Sequence, residues 1–144
     1  MKADTTTEAA VKAVLGQMAE GYARRDLTLV AAAFAPDPDV VMYGTGADEK
    51  RIGLAEIQAQ AQRDWSQTDA TTLTYGWTSV SAAGSVAWAA TDAAFNLTAG
   101  GHEMTLPARI TLVLEKRGEQ WLIVQAHFSL PASEQAEGES FPAQ

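Results

Sequence analysis

Apolar and polar residues alternate with period two over two runs near the end of the chain. Met104, Leu106, Ala108, Ile110, Leu112 and Leu114 share one face of the first run; Leu122, Val124, Ala126, Phe128 and Leu130 share one face of the second. Between them Lys116-Arg117-Gly118-Glu119 reads as a tight turn, so the pair predicts an antiparallel hairpin. Its other face mixes Arg109, Thr111, Val113, Glu115, Trp121, Ile123, Gln125, His127 and Ser129. The even-numbered face needs a cover, and only the helical patterns upstream can supply one.

Those patterns begin at once. Thr5-Thr6-Thr7-Glu8 matches a capping box, and Val11, Val14, Leu15, Met18 and Tyr22 then recur at helical spacing. Arg24 and Arg25 close this helix, and Asp26 is a suitable N-cap for a second, shorter one through Phe34. Pro36 and Pro38 stop it. Residues 39–43 read as a short strand and 44–51 as a charged, glycine-punctuated loop. A third helix runs from Gly53 to about Trp65, with Leu54, Ile57, Ala61 and Trp65 on one side. Strand patterns follow: Leu73, Tyr75 and Trp77 alternate with polar neighbours, a long run spans Ser85 to Thr98, and Gly100-Gly101 turns it into the final hairpin. The expected architecture is α+β, three N-terminal helices packed on a curved antiparallel sheet, in a single domain over 1–131. The polar tail 132–144 is expected to be mobile, with Phe141 as an anchor if it docks.

Composition narrows the partners. A length of 144 residues suits one domain with a proper core. The net charge of −8 argues against nucleic acid or an anionic membrane surface. The absence of cysteine removes disulfides, thiolate catalysis and cysteine-bound metals. No apolar run is long enough to span a membrane, and Met1 to Ala10 lacks the apolar stretch of a signal peptide, so the expected location is the cytoplasm.

Several of these residues carry a resemblance. The Arg25-Asp26 break between helices, Phe34, Gly53 and Ile57 opening the third helix, then Arg109, Thr111, Val113, Gly118, Trp121, Ile123, Val124, His127, Ser129 and Pro131 resemble the NTF2-like superfamily. Within it the chain is most similar to SnoaL-like and DUF4440-type small proteins, including the SgcJ/EcaC-type group. The ending also resembles the association domain of calcium/calmodulin-dependent kinase II. The resemblance covers about residues 8–131. It implies a cone with a pocket between sheet and helices, and many SnoaL-like proteins are sheet-to-sheet dimers. Because the superfold hosts many activities, it names none. The ketosteroid isomerases of this superfamily use a tyrosine and two acidic residues; the corresponding positions here fall near Met18, Met42 and Ile110, all apolar, so steroid-isomerase chemistry is not expected.

Candidate chemistry is sparse. Asp92 lies in a run of small apolar residues, where a carboxylate facing the pocket would serve as general acid or base. Its alternative is an exposed residue at a strand kink, and strand parity does not decide between them. Tyr22, on the apolar stripe of the first helix, would add a phenol. Tyr43, Trp65, Tyr75, Trp88 and Phe128 are candidates to line a ligand site, although each aromatic also suits an ordinary core. Parity puts His127 outside with Arg109, Val113, Trp121 and Ile123, as a homodimer surface. His127 and Ser129 have no acidic third member, two histidines cannot build a histidine-rich metal site, and Gly44-Thr45-Gly46 lacks the lysine of a phosphate loop. Two readings follow. One is a pocket protein binding a small apolar molecule, extending to a cofactor-independent acid–base enzyme (isomerase, dehydratase or cyclase type) acting on an apolar or polyketide-like substrate. The other is a non-catalytic dimerisation or ligand-binding module.

Overall fold

The computed structural model describes residues 1–143; Gln144, the last residue of the tail, lies outside them. Three helices precede most of the sheet. Helix α1 (Thr5–Arg24) is capped by Asp4, whose carboxylate accepts from the Thr7 amide at 2.7 Å, so the cap lies one residue before the expected Thr5. Val11, Leu15, Met18 and Gly21 form its buried stripe. Arg25 ends it in the left-handed conformation at φ 55°, and Asp26 caps α2 (Leu27–Ala32) as expected. Gly21 is where the two helices touch: a Cβ there would stand 2.9 Å from the Val30 nitrogen. The chain continues through β1 (Val41–Tyr43), β2 (Lys50–Ile52) and α3 (Leu54–Ser66). The charged loop thus ends in a strand that the sequence pattern did not indicate.

Four long strands complete the sheet: β3 (Ala70–Ala83), β4 (Val86–Ala99), β5 (His102–Arg117) and β6 (Gln120–Ser129). The sheet order is β2-β1-β6-β5-β4-β3, antiparallel except where β1 runs parallel to β6. Residues 1–3 lie along the free edge of β3, with Ala3 donating to Val80 and Ala82 donating to Met1. The sheet is curved and unclosed, with the helices on its inner face; Val11, Leu15, Phe34, Ile57, Ile110, Leu112, Leu114 and Ala126 meet in the core between them.

Two bulges decide which side chains face inward. In β6 the register steps from Val113 opposite Gln125 to Leu114 opposite Ile123, leaving Val124 as the extra residue. Beyond that point parity inverts, so Trp121 (8% exposed) and Ile123 (0%) are core. This corrects their expected place in an outer dimer surface; Arg109 and His127, with Val113 half-buried, do lie outside. In β3 the step falls between Tyr75 and Thr78, and Trp77 is left 65% exposed. Among the described residues no further helix or strand forms after Ser129, and Phe141 is exposed rather than docked.

Candidate functional site

A cavity of about 220 Å³ opens between the helices and the inner face of the sheet. Its walls differ in chemistry. On the sheet side it is lined by Leu73, Phe95, Leu97, Leu106, Phe128 and Leu130, with Phe34 and Val30 of the helical side joining them. Met18 and Met42 line it as well, and the third isomerase-like position, Ile110, is buried core, so these places carry no acid or base. The opposite wall is polar: Tyr22 of α1, Gln60 and Asp64 of α3, Glu49 of the β1–β2 loop, and Thr68 and Thr71 after α3.

The polar wall is one hydrogen-bonded system. Tyr22 donates its phenol proton to Asp64 Oδ2 at 2.7 Å, and Gln60 Nε2 donates to Asp64 Oδ1 at 2.7 Å and to Glu49 Oε1 at 3.1 Å. Arg51 Nε donates to Gln60 Oε1 at 2.9 Å, which fixes the orientation of that amide. Arg63 reaches Glu49 and Asp48, each at 2.7 Å. Gln60 is 4% exposed, and no buried side-chain polar atom among the described residues lacks a partner.

Local structure places these groups. Gln60 and Asp64 are one turn apart on α3, beside the buried Ile57, Ala61 and Trp65. The end of α1 is clamped against the end of α3 and the turn after it by three hydrogen bonds. The Arg25 guanidinium donates to the carbonyls of Trp65 and Thr68, and Trp65 Nε1 donates to the Tyr22 carbonyl at 3.0 Å. The clamp sets the Tyr22–Asp64 distance. The β1–β2 loop folds over Glu49, whose Oε2 accepts from the Gly46 amide at 2.9 Å. A Cβ at Gly44 would fall 2.2 Å from the same oxygen, so glycine lets the loop close at the cavity mouth.

Burial shifts both members of the pair. Desolvation raises the Asp64 carboxyl above the ordinary aspartate range, with Glu49 pushing the same way, while the Tyr22 and Gln60 hydrogen bonds pull it back. Burial, then the Asp64 charge beside it, holds the Tyr22 phenol protonated far beyond its ordinary range. The arrangement can therefore hold a proton on Tyr22 and accept another on Asp64.

Of the residues expected from sequence, Tyr22 and Phe128 line the cavity and the others do not. Asp92 is exposed on the outer face, beside Gly76 and in register with Arg109, because odd-numbered residues of β4 are the ones that turn inward. Trp88 shares that outer face, opposite Val113. Tyr43 is 46% exposed, its ring 5.4 Å from that of His127. Tyr75 donates to the Leu15 carbonyl at 2.8 Å and Trp65 is the clamp, so both are structural. Strand alternation and apolar periodicity do not mark Asp64, Gln60 or Glu49; the signal in the sequence is a polar pair at core-facing positions of an amphipathic helix.

Comparison with known proteins gives a consistent picture. The family model of the SnoaL-like domain matches residues 11–133. No curated protein sequence matches the chain. Among solved structures, the chain is similar to a candidate calcium/calmodulin-dependent protein kinase II association domain from Xanthomonas campestris, at 26% identity, TM-score 0.75, and coverage of 85% of this chain and 86% of that one. An NTF2-like superfamily protein from Salmonella enterica serovar Typhimurium superposes with TM-score 0.84 at 21% identity, covering 96% and 100%. A candidate dehydratase of the NTF2-like family from Streptomyces avermitilis superposes with TM-score 0.82 at 14% identity, covering 89% and 99%. At the identities of the last two, the likeness is one of fold.

Proposed function

The chain belongs to the SnoaL-like domain family, and from that premise we propose that it binds a small, mainly apolar molecule in the cavity and moves a proton on it through Asp64 and Tyr22. The observation that carries this reading is the hydrogen-bonded Tyr22–Asp64 pair on the polar wall of a cavity whose sheet side is apolar. Asp64 takes a proton from the substrate, and the electron pair left behind moves into the substrate's π system. The proton returns at another atom in an isomerisation, or leaves with a hydroxyl group as water in a dehydration. Once protonated, Asp64 can donate to the Tyr22 oxygen, which frees the phenol proton for the substrate. Nothing in this sequence of steps calls for a redox partner. The candidate dehydratase among the similar structures supports the same class of chemistry without naming a substrate.

The test uses 2-naphthol in D2O. Binding is followed by NMR and acid–base competence by deuterium uptake at its C1 position, which needs loss of the O–H proton, deuteronation of C1, then loss of the original C1 proton as the oxygen is reprotonated. The reading expects saturable binding, uptake above the buffer rate, and loss of uptake in Asp64→Asn. Blocking the cavity with Leu97→Trp should abolish both. Binding without faster uptake would leave a ligand-binding module, and no binding would remove the cavity as a site.

We also propose that two copies pair through the outer face of the sheet, where Trp88, Val113 and Leu122 lie together with Val86, which is 39% exposed. These replace Trp121 and Ile123 as the apolar contacts. Sedimentation equilibrium should report a dimer at micromolar concentration that Val113→Glu dissociates; a monomer would end this proposal.

A further inference from the structure

The polar wall is unbalanced in a way that describes its ligand, granted that the cavity is a small-molecule site. Its side-chain donors are engaged inside the protein: the Tyr22 hydroxyl and both Gln60 amide hydrogens as described, Thr68 on the Asp64 carbonyl, and Thr71 on Thr68. Among the described residues only the exposed Thr45 and Gln67 add side-chain donors left unengaged. Acceptors remain, because each carboxylate oxygen of Asp64 receives one hydrogen bond and can take a second.

Charge points the same way. Among the described residues two carboxylates, Glu49 and Asp64, and no cationic side chain line the cavity. Glu49 is paired with Arg63, whereas Asp64 has no ion-pair partner among the described residues. The nearby cations are turned elsewhere: Arg25 to the carbonyls of Trp65 and Thr68, Arg51 to Gln60, and Arg63 to Asp48 and Glu49. A half-buried carboxylate with free lone pairs favours a donor and repels an anion. On the sheet wall Phe95 and Phe128 lie with ring centroids 6.4 Å apart, and Phe95 meets the Tyr22 ring edge-on, so an aromatic surface for an apolar ring adjoins the carboxylate.

We propose that the ligand is a ring compound whose polar end is a hydrogen-bond donor, an O–H or a protonated amine, placed on Asp64. Carboxylates, phosphates and ligands whose only polar group is a carbonyl are rejected by the same wall. The proton that Asp64 receives in the proposed reaction is then the one this donor presents.

Calorimetric titration of the whole chain with four probes of one shape tests this: 2-naphthylmethanol, 2-naphthylmethylammonium, methyl 2-naphthyl ketone and 2-naphthoate. The two donors should bind at least tenfold tighter than the ketone, and naphthoate should not bind. The stronger of the two donors then identifies hydroxyl or amine as the natural end group. In Asp64→Asn the new amide supplies a donor, so the ammonium probe should lose at least tenfold and the ketone should gain. A role for Asp64 in stability alone would weaken all probes together and would overturn the assignment. The order among probes is read on the unaltered chain, so the test stands even if Asp64→Asn does not fold. Equal binding of all four, or preference for ketone or naphthoate, overturns the inference while leaving the cavity a site. Binding by none removes both.

Discussion

The two walls of the cavity are built on opposite physical terms. The sheet wall is made of repeated strand positions, where Phe95, Leu97, Leu106 and Phe128 gain by burial and any apolar residue of similar volume would serve. The α3 wall is made of single, directional contacts: Gln60 has both amide hydrogens and its carbonyl engaged, to three different charged residues. Changing one residue on the first wall removes area, whereas changing one on the second leaves charged partners unsatisfied. The first wall thus sets the shape of a ligand and the second sets its chemistry.

Substitutions on the sheet give the largest expected effects. Trp121→Ala, inward of the β6 bulge, should destabilise the chain by about 3–5 kcal/mol, and Leu112→Ala by about 2–5 kcal/mol. Leu122→Ala and Thr111→Ala, on the outer face, should each lose less than half as much in denaturant melts. Equal losses at Trp121 and Leu122 would mean that the bulge at Val124 is absent.

On the polar wall the next effect is Gln60→Ala, which strands Arg51 and Asp64 and should cost about 1–3 kcal/mol despite removing little apolar area. Gln60→Leu, which keeps the volume, should not recover it. Full recovery by leucine would reduce this wall to packing and erase the contrast.

A smaller effect concerns titration. The Asp64 carboxyl carbon should titrate above the unperturbed aspartate value of about 3.9, because burial disfavours its charge. Tyr22→Phe should raise the midpoint further by removing a hydrogen bond to the ionised form. Folding raises this pKa, so the associated stability is complete below the unfolded value and is lost as pH rises through the folded midpoint. A lower midpoint in Tyr22→Phe would contradict the assigned donor direction.

The contrast between walls also explains what the sequence disclosed. Period-two alternation revealed β5 and β6 because it repeats, and Asp26 revealed the start of α2 because its cap is local. Burial of Trp121 and Ile123 was not legible, since Leu122 and Val124 continue an apolar alternation of their own and one extra residue exchanges the two sets. Asp92 misled for a related reason: both faces of β4 carry small apolar residues there, and only the pairing with β5 fixes which one turns inward. Asp64 and Gln60 were legible in principle as polar residues beside Ile57 and Ala61 on one helix face. Their meaning depends on Tyr22, 42 residues away in sequence, and no local pattern joins the two.

The most direct test of the α3 wall as the chemical wall is to map where a donor-headed ring compound binds. Titration of 2-naphthylmethanol into isotope-labelled protein should shift the side-chain signals of Asp64, Gln60 and Phe128 together, with one saturation curve, and leave Asp92 and Trp88 unmoved. Saturable shifts at Asp92 and Trp88 with a silent Asp64 would place the ligand on the outer face of the sheet and leave the α3 wall without a chemical role.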